Sequence, residues 1–135
     1  MSKLKRFFLL MIVTGFFSCQ NNAPVDHSLL GGPWHCEEFQ SLGGTRTYLV
    51  QIDRIKSDTT EYFISNFYNV DTNDGLKVTL KGYKLTFAQQ QVGNSKYVLK
   101  SGSGSVNAGF TRMDLTYQIY DGQSDINVNA IFTRP

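Results

Sequence analysis

The chain has 135 residues, with 13 Lys and Arg against 11 Asp and Glu, and only two cysteines. Lys3, Lys5 and Arg6 are the only charged residues among the first 18, so the remaining 117 carry 10 cationic against 11 anionic side chains, a net charge of −1. A nearly neutral domain of this size lacks the clustered basic face that nucleic acid requires. With Cys36 alone beyond Cys19, a disulfide-stapled scaffold is excluded as well.

The first stretch joins a basic head to an apolar run, Phe7–Phe17, followed by the small Ser18. That order predicts a cleaved secretory signal peptide over residues 1–18, and the run is short for a span of about 30 Å of hydrocarbon. Its ending, Phe17-Ser18-Cys19, resembles a bacterial lipoprotein signal. The resemblance implies cleavage before Cys19, thioether lipidation of Cys19 and acylation of the new amino terminus, so that the membrane is a partner through the lipid. Gln20 in the second mature position resembles outer-membrane sorting. Surface-exposed Bacteroidota lipoproteins often carry an acidic cluster after the cysteine, and its absence here favours the periplasmic face.

Residues 19–32 are polar, contain Pro24 and end on Gly31-Gly32. They predict a lipidated cysteine and a flexible tether with a reach of roughly 20 Å. From residue 33 to residue 135 apolar side chains recur at every second position between turn residues, the pattern of antiparallel sheet with one wet face. Eight strands are predicted, at 33–40, 45–56, 61–69, 76–81, 84–92, 95–106, 112–120 and 125–134. Asp74-Gly75, Gly93-Asn94 and Asp121-Gly122 supply turn residues that tolerate positive φ. Connections this short join neighbours, so the fold class is all-β, an antiparallel up-and-down meander closed into a barrel or a flattened barrel. No helix is expected after the signal.

Gly32-Pro33-Trp34 opens the first strand and Thr133-Arg134 closes the last. This resembles the lipocalin pattern, in which a Gly-x-Trp packs beneath an arginine near the end of the barrel, and it implies that Arg134 lies on the Trp34 indole. A second resemblance rests on Ile64-Ser65-Asn66-Phe67, Phe87-Ala88-Gln89-Gln90 and Ser101-Gly102-Ser103-Gly104-Ser105-Val106. These segments are similar to small uncharacterised Bacteroidota lipoproteins with lipocalin-like β domains, which implies a fold and an address and no activity.

Other candidates are weaker. Ser101–Ser105 reads as a strand that bends sharply or lies against another backbone. His35, Glu37 and Glu38 read as a solvated polar face, since two ligands on one strand make no closed metal site. Cys36 alternates with Trp34 and reads as a buried, inert thiol. No catalytic constellation and no cofactor motif is present in the sequence, so an enzyme is the least favoured class.

Tyr48, Tyr62, Tyr97 and Tyr117 fall on the inward alternation with Trp34, where they either line a cavity for a small apolar ligand or fill a small barrel. Their bulk, with Phe63, Phe87 and Phe132, predicts a mostly filled interior in which Tyr117→Phe is nearly neutral. The expected function is a lipid-anchored binding or interaction protein of the envelope. Its sharpest form is lipocalin-like capture of a small apolar molecule, and the alternative is a structural or accessory lipoprotein that presents a β-surface to an envelope partner.

Overall fold

Period-2 alternation becomes nine strands in a computed structural model that describes residues 26–56 and 60–135. The expected signal, Cys19 and the tether as far as Val25 lie outside the described residues. The strands are β1 (Gly32–Gln40), β2 (Thr45–Arg54), β3 (Glu61–Ser65), β4 (Gly75–Lys81) and β5 (Lys84–Phe87). They continue as β6 (Gln90–Gln91), β7 (Val98–Val106), β8 (Arg112–Tyr120) and β9 (Asp125–Thr133).

Each strand pairs antiparallel with its neighbour in sequence, except that β5 and β6 both pair with β7. β1 and β9 join first strand to last, with Cys36 opposite Phe132. β5 and β6 together act as one interrupted strand, so the sheet closes as an eight-stranded up-and-down barrel. Pairing the first strand with the last removes those two edges.

Four local departures from strict alternation shape the barrel. The third strand stops at Ser65, where residues to 69 were expected to continue it. Asn66, Tyr68 and Asn69 instead take positive φ values of 59°, 60° and 55°, and Phe67–Asn69 forms a 3-10 turn. Phe63 and Phe67 lie on the same strand parity as each other and opposite to Tyr62, so a continued strand would put Phe67 in water. The turn carries Phe67 and Tyr68 into the mouth of the barrel, where both are buried.

The expected strand 84–92 breaks at Ala88-Gln89. There the Gln90 side chain takes over the ladder towards β4, accepting from Lys77 N and donating to Lys77 O, both at 2.8 Å. β7 starts at Val98 rather than residue 95, and a bulge between Leu99 and Ser101 shifts its register against β8. After the register shift Gly102, Gly104 and Val106 take the inward positions, so Ser101–Ser105 is a strand that at Gly104 lies against the β8 backbone. Finally, the described end of the expected tether is ordered ahead of an extended Gly31. His27–Leu30 is a 3-10 turn, capped by the Asp26 carboxylate on Ser28 N, and Leu30 is fully buried.

Gly75 and Gly104 are required by space. A Cβ on Gly75 would sit 1.8 Å from Ile64 O, so this glycine lets β4 approach β3 and does not provide a positive φ. At Gly104 a Cβ would lie 2.3 Å from Leu115 Cδ2 and 2.5 Å from Asp114 O.

Gly104→Ala should therefore overpack the β7–β8 contact and cost about 1–3 kcal/mol. Urea unfolding is the measurement, and the expected signature is a lower midpoint at unchanged slope.

Candidate functional site

Two polar–aromatic constellations occupy the ends of the barrel. The entry end, where the chain enters β1, is built on Trp34, which is fully buried. The Arg134 guanidinium lies 3.9 Å from the centre of its ring. Arg134 also donates to the carbonyls of Gly31 at 2.9 Å, Phe110 at 3.1 Å and Leu29. The indole N–H donates to Leu30 O at 2.9 Å, and the Tyr62 hydroxyl donates to His27 O. Trp34, Tyr62 and Arg134 thus stop one mouth of the barrel together with the turn His27–Leu30.

The far end is organised by Glu38. Its parity is that of Trp34 and Cys36, so the alternation that buries them turns Glu38 inward too, and it is 0% exposed. This corrects the expectation that Glu38 joins a solvated face with His35 and Glu37, which do point outward. Arg46 stands directly opposite across the β1–β2 hairpin and donates to Glu38 Oε1 from Nη2 at 2.7 Å and from Nε at 3.1 Å. The Tyr117 hydroxyl donates to Oε2 at 2.7 Å. A buried carboxylate is tolerable only with partners of this kind.

Arg46 extends the network outward. Its guanidinium lies 4.4 Å from the centre of the Tyr68 ring and donates to Tyr68 O. Tyr97 precedes β7, is half-buried, and meets Tyr68 edge-on at 4.9 Å. Phe67 fills the space beneath, 4.9 Å from Tyr117 and 5.8 Å from Phe87.

Tyr48 and Cys36 lie beside this network. The Tyr48 hydroxyl is buried and makes no hydrogen bond. Burial pushes the Cys36 thiol up to about 12, and burial likewise raises the phenols of Tyr48 and Tyr117, with the Cys36 and Glu38 charges adding to the effect.

The residues expected to line a cavity are therefore divided. Trp34, Tyr62 and Arg134 close the entry end, Tyr48 and Tyr117 lie inside towards the far end, and Tyr97 flanks the far mouth. Two hollows lie on the outer wall. One, of about 360 Å³, lies over Ser101, Ser103, Thr116, Gln118 and Asn127. The other, of about 220 Å³, lies between Pro33, Leu49, Gln51, Ser65, Asn66 and Thr72. Among the described residues no group of three or more His, Cys, Asp and Glu could hold a metal ion.

These features define a closed, eight-stranded, antiparallel β-barrel around one buried, largely apolar cluster. No family model matches the chain, and no curated protein matches it in sequence. In three dimensions the chain is similar to a redesigned β-barrel, with a TM-score of 0.55 and 16% identity over 82% of this chain and 96% of that one. At that identity the likeness concerns the fold alone.

The contacts revise what the two buried tyrosines should do. Tyr117→Phe removes a hydrogen bond to a buried carboxylate and should cost about 1.5–3 kcal/mol. Tyr48→Phe removes a hydroxyl without a partner and should be neutral or stabilising. Urea unfolding of both variants tests the contrast, which equal losses would contradict.

The raised thiol and phenols also set a pH dependence. Each group is held neutral in the folded state, so its contribution is complete below its unfolded value, near 9 for the thiol and 10 for the phenols. It is lost as pH rises above those values. The urea midpoint should fall from about pH 9 upward, and Cys36 should resist alkylation at pH 8 until the protein unfolds.

Proposed function

We propose that this protein is a lipid-anchored component of the bacterial outer membrane, held by Cys19 on the periplasmic face, that presents the outer wall of its barrel to an envelope partner. The anchor is supported by the order of residues 1–19, basic then apolar then Ser-Cys. The choice of an outer-wall role over internal capture is carried by one observation. Both mouths are stopped, by Trp34 and Leu30 at one end and by Phe67 and Tyr68 at the other, and the inward side chains between them pack into one buried cluster. The exposed Leu49, beside the smaller outer hollow, offers an apolar contact for such a partner.

A second reading is lipocalin-like capture of a small apolar molecule. Two observations favour it. Arg134 stacks on Trp34 as the lipocalin resemblance implies, and the Tyr48 hydroxyl has no partner inside the barrel.

Two measurements address these readings. Cys19→Ala should abolish incorporation of a fatty-acid probe in growing cells, and label retained on the variant would count against the anchor. Titration of the protein with fatty acids and an environment-sensitive apolar dye should give no stoichiometric saturation at submicromolar concentration. Saturable, stoichiometric binding would make capture the better reading.

A further inference from the structure

Resting on the anchor at Cys19, we propose that the entry end of the barrel is itself a membrane-docking surface, seated on the anionic headgroups of the bilayer that holds the lipid. Three side chains on three separate segments carry apolar surface there. Leu29 in the amino-terminal turn is 50% exposed, Ile55 after β2 is 37% exposed and Tyr83 in the β4–β5 hairpin is 41% exposed. Lys81 and Lys84 face each other on either side of Tyr83, while Arg54 and Lys56 flank Ile55. An amphipathic aromatic ring among aliphatic and cationic side chains suits the headgroup region, where apolar atoms enter and ammonium groups meet phosphate.

Charge separates the two ends. Among the described residues the entry end carries Arg54, Lys56, Lys81, Lys84, Arg112 and Arg134 against Asp26, Asp53, Glu61 and Asp114. At the far end Glu38, Asp71, Asp74, Asp121 and Asp125 outnumber Arg46, Lys96 and Lys100. The far end also exposes Phe39, Leu42 and Tyr120, so apolar surface alone does not choose between them. Sign of charge does, because anionic lipid attracts one end and repels the other.

Chain length makes the same choice. Asp26 is seven residues past Cys19, a distance of at most about 25 Å when fully extended. A strand of nine residues, such as β1, is about 30 Å long and stands about 23 Å high at the usual barrel tilt. The entry end, from which Asp26 leaves, can rest on the bilayer with the linker unstretched, whereas an upright barrel resting on its far end would hold Asp26 about 23 Å above the bilayer and take nearly the whole extended length of the linker.

The test uses the lipidated protein reconstituted into vesicles of phosphatidylethanolamine and phosphatidylglycerol. Tyr83→Cys, Leu29→Cys and Leu42→Cys, made separately, each receive an environment-sensitive fluorophore, since Cys36 is buried. Brominated lipids should quench the label at positions 83 and 29 several-fold more than at 42. Adding Lys81→Glu and Lys84→Glu, or raising the salt, should reduce quenching at 29. Equal quenching at all three positions, or none at 83 and 29, in protein that floats with the vesicles would overturn the docking surface and leave the anchor standing. Wild-type protein that carries no lipid and fails to float would overturn the anchor reading and the docking that rests on it.

Discussion

The barrel depends on the stack of Arg134 upon Trp34. These residues lie 100 positions apart, near opposite ends of the described chain, and the contact ties the residue that follows the last strand to the start of the first. A cation–π pair with a fully buried ring and a half-buried guanidinium contributes on the order of 1 kcal/mol. The guanidinium adds hydrogen bonds to carbonyls from the amino-terminal turn and from the β7–β8 loop. Those carbonyls have no strand partner to satisfy them, so one side chain both completes the closure and pairs backbone that the mouth of the barrel would otherwise leave open. The turn at His27–Leu30 follows from the same contact, because Leu30 O receives the indole N–H while Leu29 O and Gly31 O receive the arginine.

At the far mouth the problem is solved with an ion pair and backbone strain. Phe67 and Tyr68 fill the opening only because the chain turns sharply after Ser65, with non-glycine residues at positive φ. Such conformations cost of order 1–3 kcal/mol each and persist where packing over-determines them. Here the rings of Phe87, Tyr97 and Tyr117 and the Arg46 guanidinium supply that packing. Glu38 contributes little net stability of its own, since its desolvation offsets much of the attraction to Arg46. Its effect is on position, because one carboxylate fixes the side chains of Arg46 and Tyr117, and through them the rings of Tyr68 and Phe67.

A barrel stopped at both ends directs attention to its outside. The wall over β7, β8 and β9 is lined with small hydroxyl and amide side chains, whereas the β1–β2 wall exposes Leu49 near Pro33. The ends differ in charge as well, so the molecule has a direction along the barrel axis in addition to its inner and outer faces.

Period-2 alternation, turn residues and the Trp34–Arg134 spacing determined the strands, their faces and the order in which they close. Each of these is a local property of the chain or a consequence of short connections. Even the burial of Glu38 followed from its parity with Trp34 and Cys36, and a carboxylate so placed, eight residues from an arginine across a Gly-Gly hairpin, was a legible signal that its charged neighbours obscured. What alternation could not contain was any distance across the barrel. Whether Tyr117 meets Glu38, whether Tyr48 goes without a partner, and whether residues 66–69 continue a strand or fold into the mouth depend on how much room the closed sheet leaves. That room is set by strand tilt, by the bulge before Ser101 and by the close approach at Gly75 and Gly104, and these exist only once all eight strands are in place.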